Sequence, residues 1–233
     1  MTPAASPAGI RFENIEKRYG GLYALRRVSL EIAAGECVVL AGRNGSGKTT
    51  LLRIAARLVR PSSGSVTFLD SRKGPMQGAS KAGFVGHATM VYDELTAEEN
   101  LVLFARLLGI AEPGVRAGIL LEEVGLDDRR TSPVRTFSRG MRQRMAIARA
   151  LLNQPEVLLL DEPATGLDPQ GVSWLAETLR QMRDAGRTIV MSLHGESEIS
   201  SLATRAVRLE AGSVMADTRT GGSLSSILTF VGA

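Results

Sequence analysis

One short run constrains the fold of this chain more than any other: Gly42-Arg43-Asn44-Gly45-Ser46-Gly47-Lys48-Thr49, which has the pattern G-x-x-x-x-G-K-[ST]. The apolar residues 37–40 before it are typical of a buried strand, and residues 49–55 after it have the pattern of a helix. The glycines allow a tight turn whose N–H groups point inward, and the helix start adds partial positive charge. The run therefore predicts a phosphate-binding loop, in which Lys48 reaches the β- and γ-phosphates and the Thr49 hydroxyl ligates Mg²⁺.

The composition is that of one globular domain. The chain has 233 residues, 44% of them hydrophobic, which is enough to bury a substantial core. We expect residues 1–9 to be a flexible leader, residues 10–220 a single domain and residues 221–233 a tail. The net charge is only +4 and the arginines are interleaved with acids, so nucleic acid is not expected as a partner. The lone Cys37 fits a reducing compartment, and no apolar run is long enough to cross a bilayer, so we expect a cytoplasmic location.

The pattern of elements predicts an α/β fold interrupted by helices. Strands are expected at 10–15, 28–32, 37–41 and 65–69, followed by a loop over 70–83. Thr96 and Glu99 form a capping-box pattern at the start of one helix, and two more helices are expected at 115–124 and 139–152. Strands at 157–160 and 188–192 then flank a helix at 170–183, and 206–209 with 213–215 form a closing hairpin. A helical subdomain of about 88–152 thus separates the two parts of a mixed β-sheet core.

Two carboxylates follow a buried strand. Asp161 and Glu162 come directly after the apolar residues 157–160. At the carboxyl end of a parallel strand beside the phosphate loop, Asp161 is suited to hold Mg²⁺ through water. Glu162 would then point toward the γ-phosphate and orient or deprotonate the attacking water. An acidic strand end facing solvent is the plainer alternative for such a pair.

The start of the third helix has the features of a second phosphate site. Ser138 can cap the helix, and Gly140 allows the backbone to approach a ligand closely. Because a helix start favours anions, a phosphate group could bind there. Simple helix capping is the alternative, since Ser and Gly are common at helix starts.

Taken together these motifs resemble the ATP-binding subunits of ABC transporters over nearly the whole chain. The loop Gly42–Thr49 resembles the Walker A motif, and 157–162 the Walker B strand with its glutamate. The run Phe137-Ser138-Arg139-Gly140-Met141 is similar to the LSGGQ signature, 166–168 to the D-loop, and His194 to the switch histidine. Tyr19 is similar to the aromatic residue that stacks on adenine.

The resemblance implies a P-loop NTPase fold of the ABC ATPase type, with an antiparallel β subdomain and an α-helical subdomain. It implies ATP as substrate and Mg²⁺ as cofactor, and Lys48, Glu162 and His194 as the residues of hydrolysis. The further residues implied to bind ATP are Tyr19, Gly42, Arg43, Asn44, Gly45, Ser46, Gly47, Thr49, Thr50, Ser138, Gly140 and Asp168. Thr49 and Asp161, the latter through water, would hold the metal ion.

The resemblance also implies partners. Two ATP-binding subunits would pair head to tail, so that Ser138 and Gly140 of one close over the ATP held by the other, with Asp168 crossing the interface. A homodimer is expected. An integral membrane permease would be the other partner, which would place this chain on the inner face of the cell membrane.

Two positions depart from the family pattern. His87 stands where the family usually has a glutamine that contacts Mg²⁺, and imidazole is a poor ligand for an ion that prefers oxygen. Direct coordination by His87 is therefore doubtful, whereas a contact through water stays open. Met141 replaces the last glutamine of the signature, which leaves the Ser138 hydroxyl and the Gly140 amide in place.

The kind of transporter rests on fewer residues. Gly86-His87 with the run 94–101 resembles the ATPases of haem export and cytochrome c maturation, the CcmA type. The run 138–144 is equally similar to ATPases of ABC-2-type exporters of drugs, lipids or polysaccharides. The glycine–histidine pair favours the haem and cytochrome c assignment. A soluble ABC ATPase of iron–sulfur assembly is a third alternative.

Overall fold

The structure is a computed structural model, and it describes residues 8–70, 74–75, 82–193, 198–221 and 223–229. All ten of the described strands lie either before residue 90 or after residue 155, as the sequence pattern predicted. The strands are β1 (Ala8–Tyr19), β2 (Leu22–Ile32), β3 (Cys37–Ala41), β4 (Ser63–Asp70), β5 (Gly74–Pro75), β6 (Ala82–Val85), β7 (Val157–Asp161), β8 (Thr188–Ser192), β9 (Arg205–Glu210) and β10 (Ser213–Asp217).

The helices of the described ranges fall mainly in the middle of the chain. They are α1 (Lys48–Ala55), α2 (Ala97–Leu107), α3 (Pro113–Glu123), α4 (Arg139–Leu151), α5 (Pro169–Asp184) and α6 (Leu224–Thr229). The predicted bounds of α3, α4 and α5 are confirmed to within two residues. In the described part of the chain, no helix is both long enough and apolar enough to cross a membrane.

The described strands form two sheets. One is antiparallel at its β1–β2, β1–β4 and β4–β5 pairs, in the order β2-β1-β4-β5. The other has the order β10-β9-β3-β8-β7-β6 and is parallel except where β9 meets β10. Leu40 and Asp161 both pair with Ser192, so β3, β7 and β8 end at one edge of this sheet. The loop after β3 and the carboxylate at the end of β7 are neighbours for that reason.

The parallel sheet is the middle layer of the molecule. Along β3 the side chains alternate: Cys37, Val39 and Ala41 pack with helices α2 to α6, whereas Val38 and Leu40 pack with α1 and the antiparallel sheet. All five are fully buried, because both faces of a parallel sheet are covered. This accounts for the uninterrupted apolar runs in the sequence.

The first strand begins earlier than predicted. We expected residues 1–9 to be a leader, but Ala8 and Gly9 already belong to β1. The Thr188 hydroxyl donates to the carbonyl oxygen of Ala8 at 2.7 Å and accepts from the N–H of Gly35 at 2.8 Å. The strand is therefore fixed at its start by a buried hydrogen bond to β8, which no local pattern shows. Residues 1–7 lie outside the described residues.

Two further expectations were wrong. Residues 70–83 were expected to be a loop, but Ala82 and Gly83 begin β6, which pairs in parallel with β7. Residues 221–233 were expected to be a loosely held tail, but α6 lies within them. Ile227 of α6 is buried in the core, which holds this short helix in place.

A buried charged cluster joins both sheets. The Arg205 guanidinium on β9 donates to the Asp217 carboxylate at 2.8 and 2.5 Å, to Glu36 at 3.1 Å, and to the carbonyl oxygen of Glu31 at 2.7 Å. Burial alone would raise the pKa of Asp217, but the hydrogen bonds from Arg205 and from the N–H of Arg219 lower it. The cluster links β10 and β9 to the end of β2 and the turn after it.

Candidate functional site

The phosphate-loop sequence forms the turn between β3 and α1. Gly47 caps α1 in the left-handed region, with φ of 109°. A Cβ atom there would lie 2.7 Å from the carbonyl oxygen of Ala24, so glycine is required both by conformation and by space. The N–H of Ser46 donates to Arg43 O at 3.1 Å, which closes the turn. The strand–loop–helix arrangement predicted from the sequence is therefore present.

Lys48 lies at the centre of this loop. Its ammonium donates to the carbonyl oxygens of Gly42 at 2.7 Å and Arg43 at 3.2 Å, and the residue is only 5% exposed. Burial lowers the pKa of Lys48, whereas the charges of Glu162 and Asp161 act to raise it. The buried ammonium is thus held between loop carbonyls and two nearby carboxylates.

A cleft of about 260 Å³ opens over the loop. It is lined by residues 44–50, by Tyr19 and Ala24 of the first two strands, and by Glu162. Tyr19 is 51% exposed, and the Lys17 ammonium lies 5.0 Å from the centre of its ring. An exposed aromatic ring at a phosphate loop is suited to stack on a nucleotide base.

The loop and the end of β7 meet at Asp161. The Thr49 hydroxyl donates to Asp161 Oδ1 at 3.0 Å, and Asp161 is only 4% exposed. A hydroxyl and a carboxylate are oxygen ligands of the kind that Mg²⁺ prefers. The hydroxyl oxygen of Ser46 is also buried and has no hydrogen-bond partner among the described residues, which suits a loop that receives a polar ligand. These residues fit both a phosphate group and Mg²⁺.

Glu162 follows Asp161 in an unusual conformation. Its φ is 51°, in the left-handed region that non-glycine residues rarely adopt. Such strain is typical of functional positions. The conformation accompanies a sharp turn directly after the strand, and the residue lines the cleft.

The residues at the start of α4 and α5 lie elsewhere. Ser138 caps α4 by accepting from the N–H of Met141 at 3.3 Å, and Asp168 caps α5 by accepting from Gly171 at 2.8 Å. A Cβ atom at Gly140 would lie 3.7 Å from the Leu167 side chain, so the two helix starts are neighbours within one chain. The cleft lining of the described structure does not include Ser138, Gly140 or Asp168.

His87 contributes little to the observed geometry. His87 follows β6 and is exposed, and it is not among the residues that line the cleft. Within the described ranges no group of three or more His, Cys, Asp or Glu residues could hold a metal ion. His194 lies outside the described residues.

Sequence reasoning missed two residues of the site. Ala24 lines the cleft because β2 begins at Leu22, six residues before the predicted strand. Ser192 is fully buried, and its hydroxyl donates to Asp161 Oδ1 at 2.8 Å. The one available signal for Ser192 was its place at the end of a strand next to the one carrying Asp161, and strand order is not visible in the sequence.

The known proteins that this chain resembles agree with a nucleotide-binding site of this geometry. A family model described as ABC transporter matches residues 25–165. The chain is 40% identical over 197 residues to the ABC transporter ATP-binding protein NatA of Bacillus subtilis, with 82% of this chain and 80% of the relative covered. It is 36% identical to the Nod factor export ATP-binding protein I of Burkholderia orbicola, with 91% and 71% covered. It is 37% identical to the lantibiotic transport ATP-binding protein SrtF of Streptococcus pyogenes, with 83% of each covered.

A solved structure has the same architecture. It is the dimeric post-hydrolysis state of the ATP-binding cassette MJ0796 bound to ADP and Pi, with a TM-score of 0.79 and 28% identity. The match covers 89% of this chain and 97% of that one.

Proposed function

This chain belongs to the ABC transporter family of ATP-binding subunits, and on that premise we propose that it drives an exporter of the ABC-2 type. It has the fold of an ABC ATPase, and it is an ATPase that binds ATP and ADP. The observation that carries its ATP-hydrolysing role is the convergence of the Lys48 loop with Asp161 and Glu162 beside one cleft. The residue roles given below are part of the proposal.

The loop residues 42–50 hold the phosphates of ATP. The Lys48 ammonium, which donates to loop carbonyls, has only to turn toward the β- and γ-phosphates, and the Ser46 hydroxyl gains the partner that it lacks. Tyr19 stacks on the adenine ring. A buried ammonium close to phosphate forms a charge-assisted hydrogen bond, which is stronger than a neutral one.

Thr49 and Asp161 hold Mg²⁺, Asp161 through water, and the ion neutralises charge on the phosphates. Glu162 accepts a proton from the attacking water or orients it, because its position in the cleft lining brings it near the γ-phosphate. His194 holds the γ-phosphate and water in line. His87 approaches the metal ion at most through water.

ABC ATP-binding cassettes dimerise, as MJ0796 does, and pair with membrane permeases. In the proposed homodimer of this chain, Ser138 and Gly140 of one copy close over the ATP of the other, and Asp168 lies at the interface. This agrees with the cleft lining of the described structure, which includes none of these three residues. The membrane permease then places the dimer on the cytoplasmic, inner face of the membrane.

The relatives support the export class. Their names refer to Nod factor export and lantibiotic transport, and another relative, 34% identical, is the linearmycin resistance ATP-binding protein LnrL of Bacillus subtilis. The haem export and cytochrome c assignment rests on Gly86-His87 and the run 94–101, and none of these relatives carries such a name. We therefore put the ABC-2 type first and keep haem export as the second candidate.

The test is to purify the tagged chain from native membranes in mild detergent and identify its stoichiometric partner by mass spectrometry. An ABC-2-type permease supports the proposal, whereas a haem or cytochrome c maturation subunit supports the second candidate. Recovery with a soluble iron–sulfur scaffold and no membrane protein would contradict both. The Lys48→Ala variant serves as a control for partners that depend on ATP.

A further inference from the structure

The strained backbone of Glu162 needs something to hold it. A glutamate gains nothing from the left-handed region by itself, so its φ of 51° persists only because the surroundings fix it. The contacts on either side of the residue show which groups do so. They come from β8, from α4 and from Thr165 in the turn itself.

Ser192 of β8 supplies the first hold. The N–H of Glu162 donates to the Ser192 carbonyl oxygen at 3.2 Å and to the Ser192 hydroxyl oxygen at 3.0 Å. The same hydroxyl donates its proton to Asp161 Oδ1 at 2.8 Å. Because Ser192 is fully buried, water does not compete for these bonds. One hydroxyl thus joins the backbone of Glu162 to the carboxylate of Asp161.

Gln143 of α4 supplies the second hold. Its side-chain amide donates to the carbonyl oxygen of Pro163 at 2.8 Å, and Gln143 is only 8% exposed. The N–H of Thr165 donates to Glu162 O at 3.1 Å, which closes the turn behind the glutamate. The peptide groups before and after Glu162 are therefore both fixed, and of these contacts the Ser192 hydroxyl alone touches both carboxylate residues.

We propose that Ser192 is a positioning residue for hydrolysis: its hydroxyl holds the left-handed backbone that directs Glu162 into the cleft. This rests on the proposed role of Glu162 as the group that activates water. Removal of the hydroxyl leaves the Ser192 carbonyl as the one remaining acceptor for the Glu162 N–H in this contact. The glutamate then departs from the geometry that the reaction needs, while the phosphate loop keeps its own contacts.

The decisive variant is Ser192→Ala in the full chain, assayed with its membrane partner. We expect kcat to fall about tenfold, since small displacements of a reacting group cost factors of this size. The dissociation constant for MgATP should change less than about twofold, because Lys48 and the loop are untouched. As hydrolysis slows, ATP should accumulate in a stable dimer, a result that simple loss of stability does not produce. Ser200→Ala, at another buried serine, is the matched control and should leave kcat unchanged.

A double-mutant cycle separates the two contacts of the hydroxyl. In a Glu162→Gln background, adding Ser192→Ala should reduce single-turnover hydrolysis by less than about twofold, because the group that Ser192 positions has already been disabled. Losses that multiply in the double variant would overturn the proposal, as would a Mg²⁺ requirement raised more than about threefold, which indicates action through Asp161.

Failure of the proposal for Ser192 can be distinguished from failure of the proposed function. If calorimetry detects no MgATP binding by the folded wild-type chain, the proposed function fails. If the wild type binds and hydrolyses ATP but Ser192→Ala has the kcat of wild type, the inference about Ser192 alone is wrong.

Discussion

The positive charge of Lys48 is subject to opposing effects at this site. Burial disfavours its charge, while the loop carbonyl oxygens and the carboxylates of Asp161 and Glu162 favour it. A phosphate group that enters the loop adds negative charge next to the ammonium. The free energy of phosphate binding therefore depends strongly on the Lys48 side chain.

We expect Lys48→Ala to weaken ATP binding by roughly 10- to 150-fold, since a hydrogen bond to a charged group is worth about 1.5–3 kcal/mol. Isothermal titration calorimetry with MgATP measures the change. Arg53→Ala is the matched control, because Arg53 is an exposed cation on the same helix outside the cleft lining. Affinity equal to wild type in the Lys48 variant would contradict the proposed role.

Cys37 makes a residue-scale prediction about stability. Burial raises the pKa of its thiol from 9.0 to about 12, and the charge of Arg183 lowers it by less. The native chain thus keeps this proton between about pH 9 and 12 while the unfolded chain loses it, so the free energy of unfolding falls as pH rises through that interval.

We expect the Cys37 thiol to resist Ellman's reagent at pH 8 in the native protein and to react fully in concentrated urea. The difference in unfolding free energy between wild type and Cys37→Ala should also shrink as pH rises above about 9, because the Ala variant lacks the titrating group. Rapid labelling without denaturant would show that the thiol is accessible.

At the scale of elements, the start of α2 shows a strong local signal. The Thr96 hydroxyl accepts from the N–H of Glu99 at 3.2 Å, and the Glu99 carboxylate accepts from the N–H of Thr96 at 2.8 Å. The hydrogen bonds with the Thr96 backbone and side chain lower the pKa of Glu99 below its ordinary 4.5. The contribution of Glu99 is therefore complete above that pH and is lost as pH falls further.

We expect Thr96→Ala to lower the free energy of unfolding by about 1 kcal/mol, the usual cost of losing a helix cap. Urea denaturation followed by circular dichroism measures this change. Thr178→Ala is the control: Thr178 lies inside α5, where alanine is the better helix former, so that variant should be neutral or more stable. An equal loss in both variants would contradict a capping effect.

An element can be predicted from the sequence when local contacts stabilise it, and is missed when contacts with distant parts of the chain do so. The capping box, the apolar stripe of α4 and the buried run of β7 carry local patterns, and the sequence predicts all three elements. The early part of β2 depends on pairing with β1, and α6 depends on the burial of Ile227. Such contacts with distant parts of the chain leave no periodic pattern, and these elements were missed.

At the scale of the whole molecule, the same distinction applies to the site. The loop motif and the acidic strand end are visible in the sequence, and the fold brings Lys48, Asp161 and Glu162 together. The contact of Ser192 with Asp161 needs the order of β7 and β8, which single-sequence patterns do not give. The roles of Ser138, Gly140 and Asp168 need a second subunit, so they stay predictions.

We expect Glu162→Gln to form an ATP-dependent dimer. The variant keeps the phosphate loop but should lose about 10²- to 10⁴-fold in hydrolysis, so bound ATP persists and holds two copies together. Size-exclusion chromatography with light scattering in MgATP measures the assembly, and the same sample in MgADP is the control. A monomer at saturating MgATP would argue against closure of two copies over shared nucleotides.

The buried Arg205 cluster has a consequence for handling the molecule. Salt near 1 M shortens electrostatic screening to about 3 Å and weakens exposed ion pairs such as Arg11–Glu31, whose side chains are 42% and 47% exposed. Arg205 and Asp217 are 5% and 11% exposed, and so are sheltered from those ions. In 1 M salt the contacts of Arg205 that join the two sheets should therefore persist while exposed ion pairs weaken.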